Sequence, residues 1–154
     1  MTHSVLFVCL GNICRSPMAE GAMRAVGGRR GMDILVDSAG TGSWHVGNPP
    51  DARAQAAALA NGVDISAQRA RQIAVPDFDR FAHIVAMDCS VLADLDAIRP
   101  AATPGRLSLF LDHVTGREGQ DVADPYYGDE DGFATAWADV TAGAEALMEL
   151  LRRG

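Results

Sequence analysis

Residues 4–17 read SVLFVCLGNICRSP, and this stretch decides how the rest of the chain folds. Residues 4–9 are almost continuously apolar, a pattern typical of a strand that is buried on both faces of a parallel sheet. Ser16 and Pro17 then predict a helix start, with Ser16 at the N-cap and Pro17 at the first helical position. A buried strand that runs almost directly into a helix is typical of α/β folds.

The rest of the chain alternates strands with helices. We predict strands at residues 34–38, 81–87 and 106–110, and helices at residues 17–30, 50–61 and 90–98. A last helix is indicated by apolar residues at spacings of three and four: Phe133, Trp137, Val140, Ala144, Leu147 and Leu151. This order predicts one α/β domain over residues 1–154, with a four-stranded parallel sheet between helices on both faces, a Rossmann-like three-layer arrangement.

The composition fits a globular domain and excludes several classes of function. The chain has 154 residues, of which 48% are hydrophobic and 21% are charged, and its formal net charge is -7. All 13 cationic side chains are Arg, which excludes Schiff-base chemistry on Lys and the Lys-containing phosphate loop of nucleotide hydrolases. The acidic balance argues against a nucleic-acid partner, which needs a basic face. The same net charge is compatible with a local site that binds one phosphate group.

No segment predicts a membrane span, a signal peptide or a metal centre. The apolar run of residues 5–10 is too short for a membrane, and no basic segment precedes it. Three Cys residues are too few for a disulfide framework. The four His residues are 42, 38 and 30 residues apart, so we expect no metal site. We expect a cytoplasmic protein with no membrane partner, and export without a signal peptide stays open.

Ligands of parallel α/β folds bind at the carboxyl ends of the strands, so the candidate site begins at Cys9. Backbone N–H groups of the loop and of the helix N-terminus can converge on a dianion. Gly11 and Asn12 tolerate the left-handed conformations that such a loop requires, and Arg15 can hold two phosphate oxygens with its planar guanidinium. The same positive field should favour a nucleophilic thiolate at Cys9. Ser16 can either cap the helix or bond to that sulfur.

The segment VCLGNICRSPMAE at residues 8–20 resembles the N-terminal signature of the low-molecular-weight protein tyrosine phosphatases, including bacterial ones. Further segments resemble the family in order and at its spacing: VDSAGT from residue 36, SWHVG from residue 43, PD from residue 50, ARQ from residue 70, MD from residue 87 and DPYYG from residue 124. The resemblance covers nearly the whole chain. It implies the phosphotyrosine phosphatase fold and hydrolysis of phosphotyrosine through a phosphocysteine, with no metal or cofactor.

The resemblance implies a role for each matching residue. Cys9 corresponds to the nucleophile, Arg15 to the phosphate clamp and Asp124 to the proton donor for the leaving group. The implied phosphate-binding loop consists of Leu10, Gly11, Asn12, Ile13, Cys14 and Ser16. The implied aromatic walls of the cleft are Trp44, Tyr126 and Tyr127, and the implied supports of the loop are Ser38 and Gln68. The implied partners are phosphotyrosine proteins or peptides, and phosphate or other oxyanions in the loop.

Three of these residues carry further hypotheses. Six acidic residues and one Arg lie between residues 117 and 131, and crowding by like charge should favour a protonated Asp124. Gln68 stands where the family commonly has a His, and it should donate a hydrogen bond to Asn12 without titrating. Cys14 either traps an oxidised Cys9 as a reversible disulfide or is simply a small loop residue.

Three other functions compete with this interpretation. A thiol-dependent arsenate reductase shares the fold and the loop, but it needs a relay of further cysteines and only Cys89 remains. A protein-arginine phosphatase typically has Thr at the position of Ile13, and Ile13 favours a phenyl ring. A non-catalytic phosphate-binding or scaffold protein would be favoured if the nucleophile, the clamp or the acid were missing. All three residue types are present.

Overall fold

The computed structural model describes residues 3–154. Its strands are β1 (His3–Cys9), β2 (Ile34–Gly40), β3 (His83–Ala86) and β4 (Arg106–Leu109). Its helices are α1 (Arg15–Arg30), α2 (Ala52–Leu59), α3 (Asp77–Arg80), α4 (Cys89–Ile98) and α5 (Glu130–Arg153), with a 3-10 turn at Phe110–His113. The strands form one parallel sheet in the order β2-β1-β3-β4. The first two residues of the predicted domain lie outside the described residues.

Strand β1 is central, and its side chains alternate between two apolar layers. Val5, Phe7 and Cys9 belong to a cluster built with α1, α2 and α5. Leu6 and Val8 belong to a second cluster built with α3 and α4. A strand that is covered on both faces has no polar side, which explains the continuous apolar run. The prediction of a four-stranded parallel sheet between two helical layers is confirmed.

Helix α5 buries the apolar stripe that its sequence predicts. All six stripe residues are buried in the cluster beside α1: Phe133, Trp137, Val140, Ala144, Leu147 and Leu151. The helix begins after Asp129, whose carboxylate accepts a hydrogen bond from the N–H of Gly132 at 3.3 Å. Among residues 3–154, no helix combines the length and the apolar character that crossing a membrane requires.

The start of α1 differs from the prediction. The helix begins at Arg15, two residues earlier than an N-cap at Ser16 allows, and Cys14 occupies the N-cap position without a side-chain hydrogen bond. Ser16 therefore lies inside the first turn. Helix α2 is shorter than predicted because Asp51 caps it, accepting a hydrogen bond from the N–H of Arg53 at 2.8 Å. The short helix α3 was not predicted.

The carboxyl ends of β1 and β2 meet where the candidate site begins. The sheet register pairs Cys9 with Gly40. A Cβ atom on Gly40 would lie 2.8 Å from the backbone oxygen of Leu10, so only Gly allows the loop to pass this close. The end of β2 thereby holds the loop after Cys9 against the sheet.

Candidate active site

A cleft of about 400 Å³ opens at the carboxyl end of β1. Its lining combines the loop after β1 with residues from two distant loops: Cys9, Leu10, Gly11, Asn12, Ile13, Cys14, Arg15, Trp44, His45, Asp124, Tyr126 and Tyr127. The structure thus brings the predicted nucleophile, clamp, acid and wall residues to one cleft. Of the other predicted residues, Ser16 and Ser38 lie behind the loop, and Gln68 donates a hydrogen bond to Pro17.

Asn12 organises the loop after β1, which we call the phosphate loop (residues 10–14). It has a φ of 58°, in the left-handed region. Its N–H donates to the sulfur of Cys9 at 3.2 Å, and its Nδ2 donates to the hydroxyls of Ser16 and Ser38 at 2.8 and 3.0 Å. Its Oδ1 accepts from the N–H of Arg71 at 2.9 Å. These contacts hold a conformation that a non-glycine residue rarely adopts.

The sulfur of Cys9 lies at the floor of the cleft, where the residue is 3% exposed. The hydroxyl of Ser16 lies 3.0 Å from this sulfur. Of the two alternatives for Ser16, capping the helix is therefore wrong, and the contact with Cys9 is present. Because α1 begins immediately after the phosphate loop, the free N–H groups of its first turn start close to the sulfur.

Arg15 is 3% exposed and is held from behind. Its Nη1 donates to Asp88 Oδ2 at 2.6 Å and to the backbone oxygen of Val122 at 3.0 Å, while its Nη2 lies 3.5 Å from Asp124 Oδ2. Burial lowers the pKa of Arg15, but the nearby Cys9 and the hydrogen bond to Asp88 outweigh burial and raise the pKa above its usual value. Arg15 is therefore a fixed positive charge inside the cleft.

Asp88 joins α4 to Arg15, a role that the sequence did not predict. One of its oxygens accepts a hydrogen bond from the N–H of Val91 at 2.7 Å and caps α4, and the other accepts from Arg15. The sequence does contain a signal for this role of Asp88. A carboxylate that follows the buried strand β3 lies at the same sheet edge as the residues after β1. A single carboxylate thus joins the start of α4 to the clamp.

Asp124 lies at the rim of the cleft, and its side chain is 41% exposed. Its Oδ1 accepts a hydrogen bond from the N–H of Tyr126 at 3.1 Å, and its Oδ2 faces Arg15. Neither contact is with another carboxylate, so the crowding by like charge at Asp124 stays a prediction.

A buried chain of hydrogen bonds continues behind the phosphate loop. The hydroxyl of Ser38, which accepts from Asn12, donates to Glu20 Oε1 at 2.9 Å. Glu20 Oε2 accepts from Nε and Nη2 of Arg24 at 3.0 and 2.9 Å. Burial raises the pKa of Glu20, and Arg24 opposes that effect. Glu20 belongs to the signature segment, but the sequence analysis gave it no role.

The predicted hydrogen bond from Gln68 to Asn12 is wrong. The Nε2 of Gln68 donates to the backbone oxygen of Pro17 at 3.0 Å. The acceptor on Asn12 is already taken by the N–H of Arg71. The Arg71 guanidinium is itself fixed by Asp77 at 3.0 and 3.1 Å. Gln68 therefore supports the first turn of α1 rather than the phosphate loop.

Aromatic side chains border the cleft and are open to solvent. Trp44 is 70% exposed and Tyr127 is 97% exposed. The ring centroids of Tyr126 and Tyr127 are 4.9 Å apart, and those of His45 and Tyr126 are 6.3 Å apart. His45 is a further wall residue to which the sequence analysis gave no role. Trp44, Tyr126 and Tyr127 give the cleft an aromatic lining, and such rings can pack against a planar aromatic group.

Cys14 is a buried thiol beside the predicted nucleophile, Cys9. Burial, followed by Asp51, Cys9 and Asp124, raises the pKa of Cys14 well above its usual range. A protonated Cys14 adds no negative charge to a site built for anions. Neither Cys9 nor Cys14 is in a disulfide.

Within the part of the chain that the structure describes, no cluster of three or more His, Cys, Asp or Glu side chains is arranged to hold a metal ion.

Known proteins share both the sequence and the fold of this chain. The family model "low molecular weight phosphotyrosine protein phosphatase" matches residues 4–154. The low molecular weight protein-tyrosine-phosphatase YfkJ of Bacillus subtilis is 38% identical, with 97% of this chain and 96% of the relative covered. A crystal structure of a protein tyrosine phosphatase from Entamoeba histolytica, with Hepes in its active site, has a TM-score of 0.93 at 34% identity and covers 99% and 98% of the two chains.

A third similar structure is the drosophila arginine phosphatase DARP, with a TM-score of 0.90 and 33% identity over 96% of this chain and 97% of that one. The fold is therefore shared by a protein named as a tyrosine phosphatase and by one named as an arginine phosphatase. The family match extends over residues 4–154 and so includes the segments that build the cleft. The chain belongs to the low molecular weight phosphotyrosine protein phosphatase family.

Proposed function

We propose that this protein hydrolyses phosphotyrosine in proteins or peptides, and small aryl phosphates, through a phosphocysteine intermediate. One arrangement carries the proposal: the sulfur of Cys9, the guanidinium of Arg15 and the carboxyl of Asp124 line a single cleft with aromatic walls. These are a nucleophile, a fixed positive charge and a proton donor, which are the three groups that transfer of a phosphoryl group to a thiol requires.

In the first step, the Cys9 thiolate attacks phosphorus in line with the leaving oxygen. The S–P bond forms as the P–O bond to the phenol breaks. Arg15 and the N–H groups of the phosphate loop stabilise the charge on the three equatorial oxygens. Asp124 gives its proton to the departing oxygen, so that phenol rather than phenolate leaves.

In the second step, the Asp124 carboxylate takes a proton from a water molecule that attacks phosphorus. The P–O bond to water forms, the S–P bond breaks, and inorganic phosphate is released. The hydroxyl of Ser16, 3.0 Å from the sulfur, can donate a hydrogen bond to the departing Cys9 thiolate. The positive charge in these steps comes from Arg15 and from backbone N–H groups. Inorganic phosphate and similar oxyanions should therefore compete with substrate.

The shape of the cleft favours an aryl ester. Ile13 places an apolar side chain on the lining, and Trp44, Tyr126 and Tyr127 add aromatic surface. A flat phenyl ring fits such walls better than a charged guanidinium, which would need polar partners. The second candidate is a phosphoarginine phosphatase, which the structural similarity to DARP favours. Arsenate reduction is disfavoured because it needs a relay of further cysteines, and beyond Cys9 and Cys14 the chain has only Cys89. The exposed Cys89 thiol contacts the backbone oxygen of Gly119 at 3.9 Å.

The test is a comparison of initial rates on one peptide that carries phosphotyrosine, phosphoserine or phosphoarginine, with and without a chelator. We expect turnover of phosphotyrosine, a rate at least about a hundredfold lower for the other two, and no effect of the chelator. Faster release of phosphate from phosphoarginine would replace the proposal by the second candidate. Loss of activity in the chelator would contradict the mechanism.

We further propose that the enzyme acts in the cytoplasm. The mechanism uses Cys9 as a free thiolate, and the neighbouring Cys14 is also a free thiol. Such a pair persists as thiols in a reducing compartment. Fractionation of cells followed by detection of the protein tests this, and recovery mainly from the medium would contradict it.

A further inference from the structure

Arg53 on α2 contacts the loop that carries the catalytic acid, which we call the acid loop (residues 114–129). Its Nη2 donates to the backbone oxygen of Tyr126 at 2.9 Å, and its Nη1 donates to that of Gly128 at 3.3 Å. The guanidinium carbon also lies 5.7 Å from the ring centroid of Tyr126 and 4.6 Å from that of Phe133. One side chain thus contacts two peptide groups and one ring just after Asp124, and one ring on α5.

The same guanidinium is anchored to the phosphate loop through Asp51. Nε and Nη2 of Arg53 donate to Oδ1 and Oδ2 of Asp51, each at 3.1 Å. The backbone N–H of Asp51 donates to the oxygen of Ile13 at 2.8 Å. A continuous path of hydrogen bonds therefore runs from the phosphate loop through Asp51 and Arg53 to Tyr126. The N–H of Tyr126 then donates to Asp124.

This path connects two parts of the site that need a fixed separation. The side chain of Arg15 is 3% exposed, whereas that of Asp124 is 41% exposed and lies 3.5 Å from Arg15 Nη2. An exposed carboxylate on a surface loop has few neighbours of its own to hold it. Proton transfer to a leaving oxygen depends on hydrogen-bond distance, so a small displacement of the acid costs rate.

We propose that Arg53 is a positioning residue that holds Asp124 at the distance from Cys9 where it can protonate the leaving group. The inference rests on the proposed function, because it assigns Asp124 the role of the acid. Only Arg can fill this position fully, since its planar group donates to a carboxylate and to two carbonyls at once. A Lys would keep the charge but lose that simultaneous set of hydrogen bonds.

A dependence on the leaving group distinguishes positioning of the acid from a general structural role. Phenyl phosphate releases a weakly acidic phenol, so its hydrolysis requires the proton from Asp124. Dinitrophenyl phosphate releases a stable phenolate that leaves without a proton. A variant in which only the acid is misplaced therefore loses kcat/KM on phenyl phosphate and keeps it on dinitrophenyl phosphate. The quantity kcat/KM covers the steps up to departure of the phenol and excludes hydrolysis of the phosphocysteine, which both esters share. A variant with a damaged phosphate loop loses rate on both.

The experiment measures kcat and KM on the two esters for Arg53→Gln, Arg53→Lys and the benchmark Asp124→Asn. The control is Arg29→Gln, the same chemical change at an exposed arginine on α1 that pairs with Glu145 at 3.0 Å, away from the cleft. Thermal unfolding of each variant shows that it is folded. If Arg53→Gln does not fold, Arg53→Lys supplies the measurement.

We expect Arg53→Gln to lower kcat/KM on phenyl phosphate about tenfold and to change kcat/KM on dinitrophenyl phosphate less than about twofold. Arg53→Lys should fall between the wild type and Arg53→Gln. In the double variant with Asp124→Asn, the Arg53 change should cost nothing further, because the acid is already absent. The control should match the wild type on both esters.

Equal losses of kcat/KM on both esters, or no loss on phenyl phosphate, would overturn the inference and leave the proposed function standing. Failure of the proposed function has a different signature. The wild type would hydrolyse neither ester, or Asp124→Asn would lower kcat/KM equally on both. Either result would reject the proposed function and, with it, the role of Arg53.

Discussion

The Nη1 atom of Arg15 lies 2.6 Å from Oδ2 of Asp88, in a contact where both groups are largely buried. This ion pair fixes the guanidinium on the side away from the cleft. The remaining nitrogen, Nη2, is left on the side of Asp124 and of any bound phosphate. A chain with a net charge of -7 can therefore bind a dianion, because its fixed positive charge is concentrated at one position.

Asp88→Asn should weaken phosphate binding without unfolding the protein. Asn still caps α4, but it loses the charge that holds Arg15. We expect the inhibition constant of inorganic phosphate to rise about tenfold, which corresponds to ~1.4 kcal/mol. The control is Asp96→Asn, a change at the exposed partner of Arg99 on the same helix. An unchanged inhibition constant in Asp88→Asn would show that the pair does not fix the clamp.

Glu20→Gln should change how stability depends on pH. Because burial raises the pKa of Glu20 above 4.5, the folded state holds this proton more tightly than the unfolded state does. That contribution to stability is complete below about pH 4.5 and is lost as the pH rises through the folded-state pKa. Gln keeps an oxygen acceptor for Ser38 and cannot titrate.

We therefore expect the free energy of unfolding of Glu20→Gln, relative to the wild type, to increase as the pH rises from about 4 to about 7. Urea unfolding at a series of pH values measures it. The matched control is Glu118→Gln, the same chemical change at an exposed position. A difference for Glu20→Gln that shrinks with rising pH would contradict the account.

Cys14 should decide whether oxidation of Cys9 is reversible. After peroxide, the wild type should form a Cys9–Cys14 disulfide, and a thiol reductant should restore activity. Cys14→Ser should instead accumulate irreversibly oxidised Cys9. Because burial raises the pKa of Cys14, less thiolate is present at low pH, and bridging should become faster as the pH rises. Intact mass measures both products, and overoxidation without a bridge in the wild type would reject the idea.

The acidic surface beside the cleft should influence the choice of peptide. Asp124, Asp129, Glu130 and Asp131 are all exposed on or next to the acid loop. At low ionic strength, a phosphotyrosine peptide with a long acidic tail should have a kcat/KM about fivefold lower than a neutral one, and salt should reduce this difference. Equal values for the two peptides at low salt would contradict the prediction.

The sequence predicted the layers of the fold better than the contacts of the site. Alternating apolar segments specify buried strands and an amphipathic α5, because burial follows local periodicity. The start of α1 was misplaced because Ser16 is a good N-cap by local rules, yet its hydroxyl bonds to Cys9 and Asn12 instead. Such competition between partners depends on the packed structure.

The contacts that support the site could not be predicted from local sequence patterns either. Asp88 and Arg53 act across separations of 73 residues, on Arg15 and on Tyr126. Gln68 was assigned to Asn12 by its place in a motif, although the N–H of Arg71 occupies that acceptor. A motif predicts which residues gather at a site, whereas the pairing of each donor with its acceptor depends on long-range geometry.

The most direct test of the mechanism is the turnover of an aryl phosphate by Cys9→Ser, with the fold checked by circular dichroism. Serine is close to cysteine in shape, but at neutral pH its hydroxyl is a far weaker nucleophile than a thiolate. The account predicts a folded protein with no turnover above background. Turnover by folded Cys9→Ser at a rate close to that of the wild type would contradict the phosphocysteine mechanism.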